Sequence, residues 1–168
     1  MPLQSMNYFC WLGLAACVAG ISLATDTKQA ALKSPLAGED QKRFDAGKDL
    51  YELTCLSCHQ LDGRGQEALA PPLAGSQWVT NSPERLIRIV LHGMRGPVKV
   101  GDKVMEFPAE MPALFVLDDE QIAGLLTYIR RSWGHAASPV RPEAVKKVRD
   151  ATADRIETWT EAELLKIM

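Results

Sequence analysis

The sequence predicts an all-α domain, and three observations carry that reading. Apolar residues recur at helical spacing in three stretches, 39–54, 82–92 and 118–133. The last two open with residues that cap helices, Ser82 and Asp118. Strand-type alternation is nearly absent, confined to a weak pattern around Gly101-Asp102. At 168 residues the chain has the length of one domain. Its hydrophobic fraction of 46% with 24% charged residues fits a globular protein with a real core, and excludes a disordered or multi-span membrane chain. The formal net charge of -2 is far from the basic balance of a nucleic-acid binder, so nucleic acid is not an expected partner.

Each element follows from local signals. Phe44, Gly47, Leu50 and Tyr51 are spaced for one helix face, with charges between them, which predicts a short amphipathic helix over 39–54. From Asp62 to Gly75 the segments DGRG and PPLAG predict a loop with fixed turns. Ser82 caps a second helix with Pro83 at its first position, Leu86, Ile87, Val90 and Leu91 on its apolar face, and Gly93 at its end. Residues 94–110 fit a small hairpin or an irregular loop. The strongest helix opens at the capping box Asp118-x-x-Gln121 and carries Ile122, Leu125, Leu126, Ile129 and Trp133 on one stripe. Arg130 and Arg131 suit its carboxyl end, and Gly134 is the expected stop. Beyond Pro139 the segment 141–168 holds six basic and six acidic residues. It predicts a helix from Pro142, a last turn opened by Thr160-x-x-Glu163, and a solvated arm packed on the domain.

The amino terminus has a different character. Residues 1–24 contain no Lys, Arg, Asp or Glu, and the 17 residues from Tyr8 to Ala24 are almost wholly apolar. Such a run is a targeting segment or anchor, at the lower limit of what spans a bilayer. Leu14-Ala15-Ala16-Cys17 has the form of a bacterial lipoprotein signal, which makes Cys17 the expected lipidation point. Ser22-Leu23-Ala24 offers ordinary cleavage, and an uncleaved anchor is the third reading. All three place the body outside the cytoplasm, in the bacterial periplasm or on the outer face of a membrane. The expected organisation is signal or anchor over 1–24, linker over 25–38, domain over 39–137 and charged helical tail over 138–168.

Cys10 and Cys17 lie in the targeting segment, so only Cys55 and Cys58 belong to the mature domain. Cys55-Leu56-Ser57-Cys58-His59 is C-x-x-C-H, the attachment signature of c-type haem. Two thiols one helical turn apart reach the two vinyl groups on one porphyrin edge, and the following histidine falls under the iron. A zinc site would need four ligands, but His92 and His135 are the only other candidates and lack paired spacing. A redox dithiol would want a βαβ setting, which the pattern does not contain. One covalently attached haem c is therefore the expected cofactor.

With His59 on one side of the iron, the other side needs a ligand. Met111, followed by Pro112 and 52 residues after His59, is the leading candidate; Met105, Met94 and His92 are its rivals. Met94 and His92 close an amphipathic helix and read as structural, whereas Met105 shares the flexible loop with Met111. A thioether opposite imidazole fills both axial positions and raises the potential, which suits electron transfer.

From about Gln41 to Ala137 the chain resembles a class I mono-haem cytochrome c. The motifs are Gly47-x-x-Leu50-Tyr51, Cys55-x-x-Cys58-His59, Gly63-x-Gly65, Pro71-x-Leu73, Met111-Pro112 and Tyr128-x-x-Arg131-x-Trp133. The resemblance implies that the first and last helices cross with Gly47 and Gly124 at close approach. It also implies that the Pro71 carbonyl accepts the proton of His59 Nδ1. The chain is most similar to cytochrome modules that accompany exported bacterial dehydrogenases, quinoprotein types included. Two features depart from the pattern: Gln60 stands where relatives often have Gly, and the tail from Ser138 lies outside it.

Arg85, Arg88, Arg95, Lys99 and Lys103, with Glu84 and Asp102 among them, make 84–103 locally basic. They read as a solvated face, or as groups that neutralise haem propionates or dock an acidic partner. Trp78 reads as core or as a propionate donor. The expected function is transfer of one electron from a dehydrogenase or quinol-oxidising complex to an oxidase or another cytochrome, with no substrate chemistry of the protein's own. The alternative from another class is a haem enzyme or gas sensor with an open distal site.

Overall fold

The computed structural model describes residues 35–167. The expected signal over 1–24, Cys17 and most of the expected linker lie outside the described residues. The described chain runs α1 (Glu39–Thr54), α2 (Leu56–His59), α3 (Gln77–Thr80), α4 (Pro83–His92), β1 (Val98–Val100), β2 (Lys103–Met105), α5 (Asp119–Arg131), α6 (Pro142–Ala151) and α7 (Glu161–Leu164). The single hairpin pairs Val98 with Met105 and Val100 with Lys103 across the Gly101-Asp102 turn.

Helices α1 and α5 pack across each other at two glycines. A Cβ built on Gly47 would lie 1.9 Å from the Gly124 carbonyl oxygen, so no larger residue permits this approach. Arg43 fastens the same crossing by donating from Nε to Glu120 Oε1 at 2.7 Å. Around it Tyr51, Ile122, Leu125 and Leu126 are fully buried, and the rings of Phe44, Tyr51, Tyr128 and Trp133 form a tilted and edge-on aromatic cluster. Ser82 caps α4 through Arg85 N, and the Asp118/Gln121 capping box opens α5 with both reciprocal bonds present.

Three expectations need correcting. First, α5 stops at Arg131 rather than running to Gly134. Ser132 turns extended with its hydroxyl donating to the Tyr128 carbonyl, and Trp133 then adopts φ 52°, which aims its indole N–H at the Leu61 carbonyl. Second, Arg130 stands in the last turn of α5 as expected, yet it does more than complement the helix end. It is only 2% exposed and donates to the carbonyls of Val79, Asn81 and Ser138, pinning α3 and the start of the tail to α5. Burial lowers the proton affinity of its guanidinium. Third, the tail packs on the domain as expected but is more than a solvated arm. Val140, Val145 and Val148 belong to the main hydrophobic core, so one face of α6 completes the domain while its charges face water.

Candidate functional site

The C-x-x-C-H segment is held by its own turn. Cys55 ends α1 with its N–H on the Tyr51 carbonyl at 2.8 Å, and its carbonyl accepts from Cys58 N at 3.2 Å and His59 N at 2.9 Å. One short turn thereby presents Cys55, Cys58 and His59 to a single apolar cavity of about 280 Å³. Its other walls include Trp78, Leu125, Ile129, Met94 and Met111. Cys55 and Cys58 are not joined in a disulfide, and burial pushes the Cys55 thiol up from its ordinary value.

His59 is buried and its Nδ1 lies 3.1 Å from the Pro71 carbonyl oxygen. A carbonyl only accepts, so the proton resides on Nδ1 and the Nε2 lone pair is available to a metal. Burial lowers the proton affinity of the ring, outweighing the opposing effect of the Pro71 bond, and so favours the neutral form that a metal needs. Pro71 is placed by the loop before it. Leu73 N and Ala74 N both donate to the Gly63 carbonyl, and Gly65 N donates to the His59 carbonyl. A Cβ on Gly65 would stand 2.3 Å from the Ala70 oxygen and 2.7 Å from that of Pro71, so glycine is what lets the carbonyl segment approach. The two thiols, the oriented imidazole and the apolar walls form a donor set and surround that fit a covalently held haem.

Of the candidates for the second axial position, two methionines border the cavity. Met111 borders the cavity, Met105 does not, and Met94 does, contrary to its expected structural place at the helix end. The reason is backbone pairing: Met94 N donates to the Met111 carbonyl at 3.2 Å and Met111 N to the Met94 carbonyl at 2.9 Å. Met105 instead lies on β2, paired with Val98. His92 is not on the cavity wall, and its Nε2 is bonded to the Thr152 hydroxyl at 2.7 Å. Burial, with Arg155 next in order, lowers its proton affinity. The other zinc candidate, His135, uses both ring nitrogens, accepting from Gly75 N at 2.9 Å and bonding the Ile129 carbonyl at 3.2 Å. Among the described residues no group of His, Cys, Asp and Glu is arranged to hold a metal ion by itself.

Three of the five cations in the locally basic stretch are engaged within the molecule, while Lys99 and Lys103 are exposed. Arg85 donates to the Ile167 carbonyl, Arg88 pairs with Glu84, and Arg95 pairs with Glu157. Of the five cations only Arg95 borders the cavity. Trp78 also borders it, half-buried, with its indole N–H committed to the Lys99 carbonyl at 2.8 Å. The sequence offered Met94 only as a lesser rival for the axial position and the tail only as an arm packed on the domain, without the particular contacts that place them here. Both placements arise from pairing between distant segments.

Comparison with known proteins agrees with this geometry. The family model described as Cytochrome c matches residues 44–133. Cytochrome c-552 of Thermus thermophilus is 36% identical over 104 residues, which cover 56% of this chain and 78% of that protein. The cytochrome c subunit of the quinone alcohol dehydrogenase of Gluconacetobacter polyoxogenes is 34% identical over 110 residues, covering 64% of this chain and 23% of the subunit. The fructose dehydrogenase cytochrome subunit of Gluconobacter japonicus is 37% identical over 107 residues, covering 61% of this chain and 22% of the subunit. This chain thus corresponds to less than a quarter of those two subunits. With the match spanning more than half its length and all the elements that border the cavity, the chain belongs to the cytochrome c family, electron carriers that hold haem c covalently.

Proposed function

We propose that the protein carries one electron from an exported dehydrogenase or a quinol-oxidising complex to a terminal acceptor, an oxidase or another cytochrome. In this reading His59 and Met111 are the axial ligands, Cys55 and Cys58 form the thioethers, and the Pro71 carbonyl orients the His59 ring. The observation that carries it is that one apolar cavity is bordered by both thiols, by His59 with Nδ1 held on the Pro71 carbonyl, and by Met111. Haem bound there supplies a one-electron iron couple, and a thioether opposite imidazole raises its potential. The residues of the chain exclude water from the site, fix the imidazole tautomer and leave no polar side chain of His92 at the cavity to serve an open distal face. The protein has no substrate chemistry of its own in this reading.

The donor class rests on relatives that are cytochrome subunits of alcohol and fructose dehydrogenases. Export and tethering through a lipidated Cys17 rest on the apolar amino-terminal run. Among the described residues no helix is long and apolar enough to cross a membrane. Mass spectrometry of the mature amino terminus tests the tether: a lipid-bearing start at Cys17 supports it, and an unmodified start at Thr25 opposes it. Optical spectra of the reduced holoprotein with and without carbon monoxide test the carrier reading. A spectrum unchanged by the gas supports electron transfer, and ready binding at neutral pH supports a ligand-binding haem protein.

A further inference from the structure

The chain beyond residue 133, outside the family match, bonds to the loop that carries Met111 and to the Gly93–Arg95 segment paired with it. Residues 106–118 carry Met111 between the hairpin and α5, and the tail bonds to that loop on both sides of the methionine. Before it, Thr158 donates from Oγ1 to Glu110 Oε2 at 2.9 Å. After it, Arg149 donates from Nη1 to the Phe115 carbonyl at 2.9 Å and from Nη2 to the Leu117 carbonyl at 2.6 Å, while its Nε pairs with Asp119 at 2.7 Å. Beside it, Trp159 extends the Met94–Met111 pairing by one more strand position: Trp159 N donates to the Gly93 carbonyl at 3.0 Å and Arg95 N to the Trp159 carbonyl at 2.8 Å. The order Met111, Met94, Trp159 thus forms a small three-membered ladder with the tail on its outside.

The tail segment is itself made stiff. The Arg155 guanidinium lies 3.4 Å from the centre of the Trp159 ring and donates to the carbonyls of Glu157 and Thr158 and to Glu163. Helix α6, which brings Arg149, is anchored by the buried Val145 and Val148. A loop that must offer a thioether to a metal has a large entropy of its own, and fixing both ends reduces what ligation has to overcome. General stabilisation of the core does not require charged donors aimed at the main-chain carbonyls of this particular loop.

We propose that the tail is a positioning element for the second axial ligand, with Arg149 and Thr158 holding the 106–118 loop, and the Trp159 main chain holding the Met94 segment paired with it, in the conformation that presents Met111. The inference rests on the ligation proposed above and assigns its control to residues outside the matched region.

The test compares three full-length holoproteins: wild type, the double variant Arg149→Gln with Thr158→Val, and Val140→Ala, which weakens the tail's packing before α6 without touching a bond to the loop. The readouts are the weak sulfur-to-iron band of the oxidised protein, the reduction potential, and the rate at which the reduced protein takes up carbon monoxide. The double variant should lose part of the band, shift to lower potential and take up the gas about tenfold faster, as expected when hydrogen bonds to a charged group no longer favour the closed loop. Val140→Ala should lower the melting temperature and leave all three readouts at wild-type values. Should the double variant fail to yield folded holoprotein, Thr158→Val alone is measured in its place, with a gain in uptake of about threefold expected for one hydrogen bond. A double variant, or the Thr158→Val variant in its place, that loses thermal stability yet keeps wild-type band, potential and gas resistance overturns the proposal, because the tail is then structural only. A wild-type protein without the band overturns the Met111 ligation itself, and the positioning role with it.

Discussion

Gly47 and Gly124 bring the backbones of α1 and α5 into contact, to the point that a Cβ on Gly47 would sit 1.9 Å from the Gly124 carbonyl oxygen. The relation is asymmetric: a Cβ on Gly124 would meet nothing nearer than the Arg43 carbonyl oxygen at 3.0 Å. The first contact forces the helices apart, whereas the second asks for a few tenths of an ångström.

Gly47→Ala should therefore destabilise the holoprotein by about 3 kcal/mol, the upper end of what overpacking costs. Gly124→Ala should cost less, about 1 kcal/mol, because the gain in helix propensity partly offsets the tighter contact. Denaturant unfolding of the two variants checks the ranking. Equal losses would mean that the crossing is not set by this pair.

Gln60 offers the opposite sign. It stands directly after His59 with φ 61° and ψ 163°, a region that glycine alone occupies at ease. The conformation is retained because its carbonyl accepts the Tyr51 hydroxyl at 2.6 Å. That strain costs about 1–3 kcal/mol, and glycine gives back somewhat less than about 1 kcal/mol in unfolded-state entropy. Gln60→Gly should stabilise the protein by about 1 kcal/mol in denaturant titration, with the haem spectrum unchanged.

The tail should be acid-sensitive through Glu163. The N–H and hydroxyl of Thr160, followed by Arg155, hold its carboxyl down to about 2, against an ordinary 4.5. A depressed folded-state value contributes stability that is fully present above 4.5 and is lost as pH falls through about 2. Glu163→Gln should accordingly flatten the dependence of stability on pH between those two values. Parallel wild-type and variant curves across that window would contradict the assignment.

Covalent attachment is tested at the thiols. Wild-type protein matured in an export-competent host should keep its haem through acid-acetone extraction, and Cys55→Ala or Cys58→Ala should weaken or lose it. Free thiols at both positions in the folded red protein would overturn the thioether assignment.

Much of the fold was legible because its signals are local. The capping boxes at Asp118/Gln121 and Thr160/Glu163, the Ser82-Pro83 helix start and the Gly101-Asp102 hairpin each depend on residues within a few positions of one another. The grouping of Cys55, Cys58 and His59 was legible for the same reason, since they share one turn. What escaped is non-local. Met94 reads as a helix-end residue, and only its pairing with Met111 turns it to the cavity. Arg130 reads as a cation for the end of the helix, but three carbonyls from separate segments take it inside. Arg149 reads as one charge in a mixed run, and nothing in its neighbours announces carbonyls 32 and 34 residues earlier.

The central claim is that Met111 completes the coordination of the iron, and parallel spectra of Met111→Ala, Met94→Ala and Met105→Ala holoproteins test it most directly. Only Met111→Ala should abolish the sulfur-to-iron band, lower the potential and open the reduced protein to carbon monoxide. Met94→Ala loses a wall side chain but keeps the main-chain bonds to Met111, and Met105→Ala alters a side chain away from the cavity, so both should retain the band. Loss of the band in either of those variants, with its survival in Met111→Ala, would contradict the account.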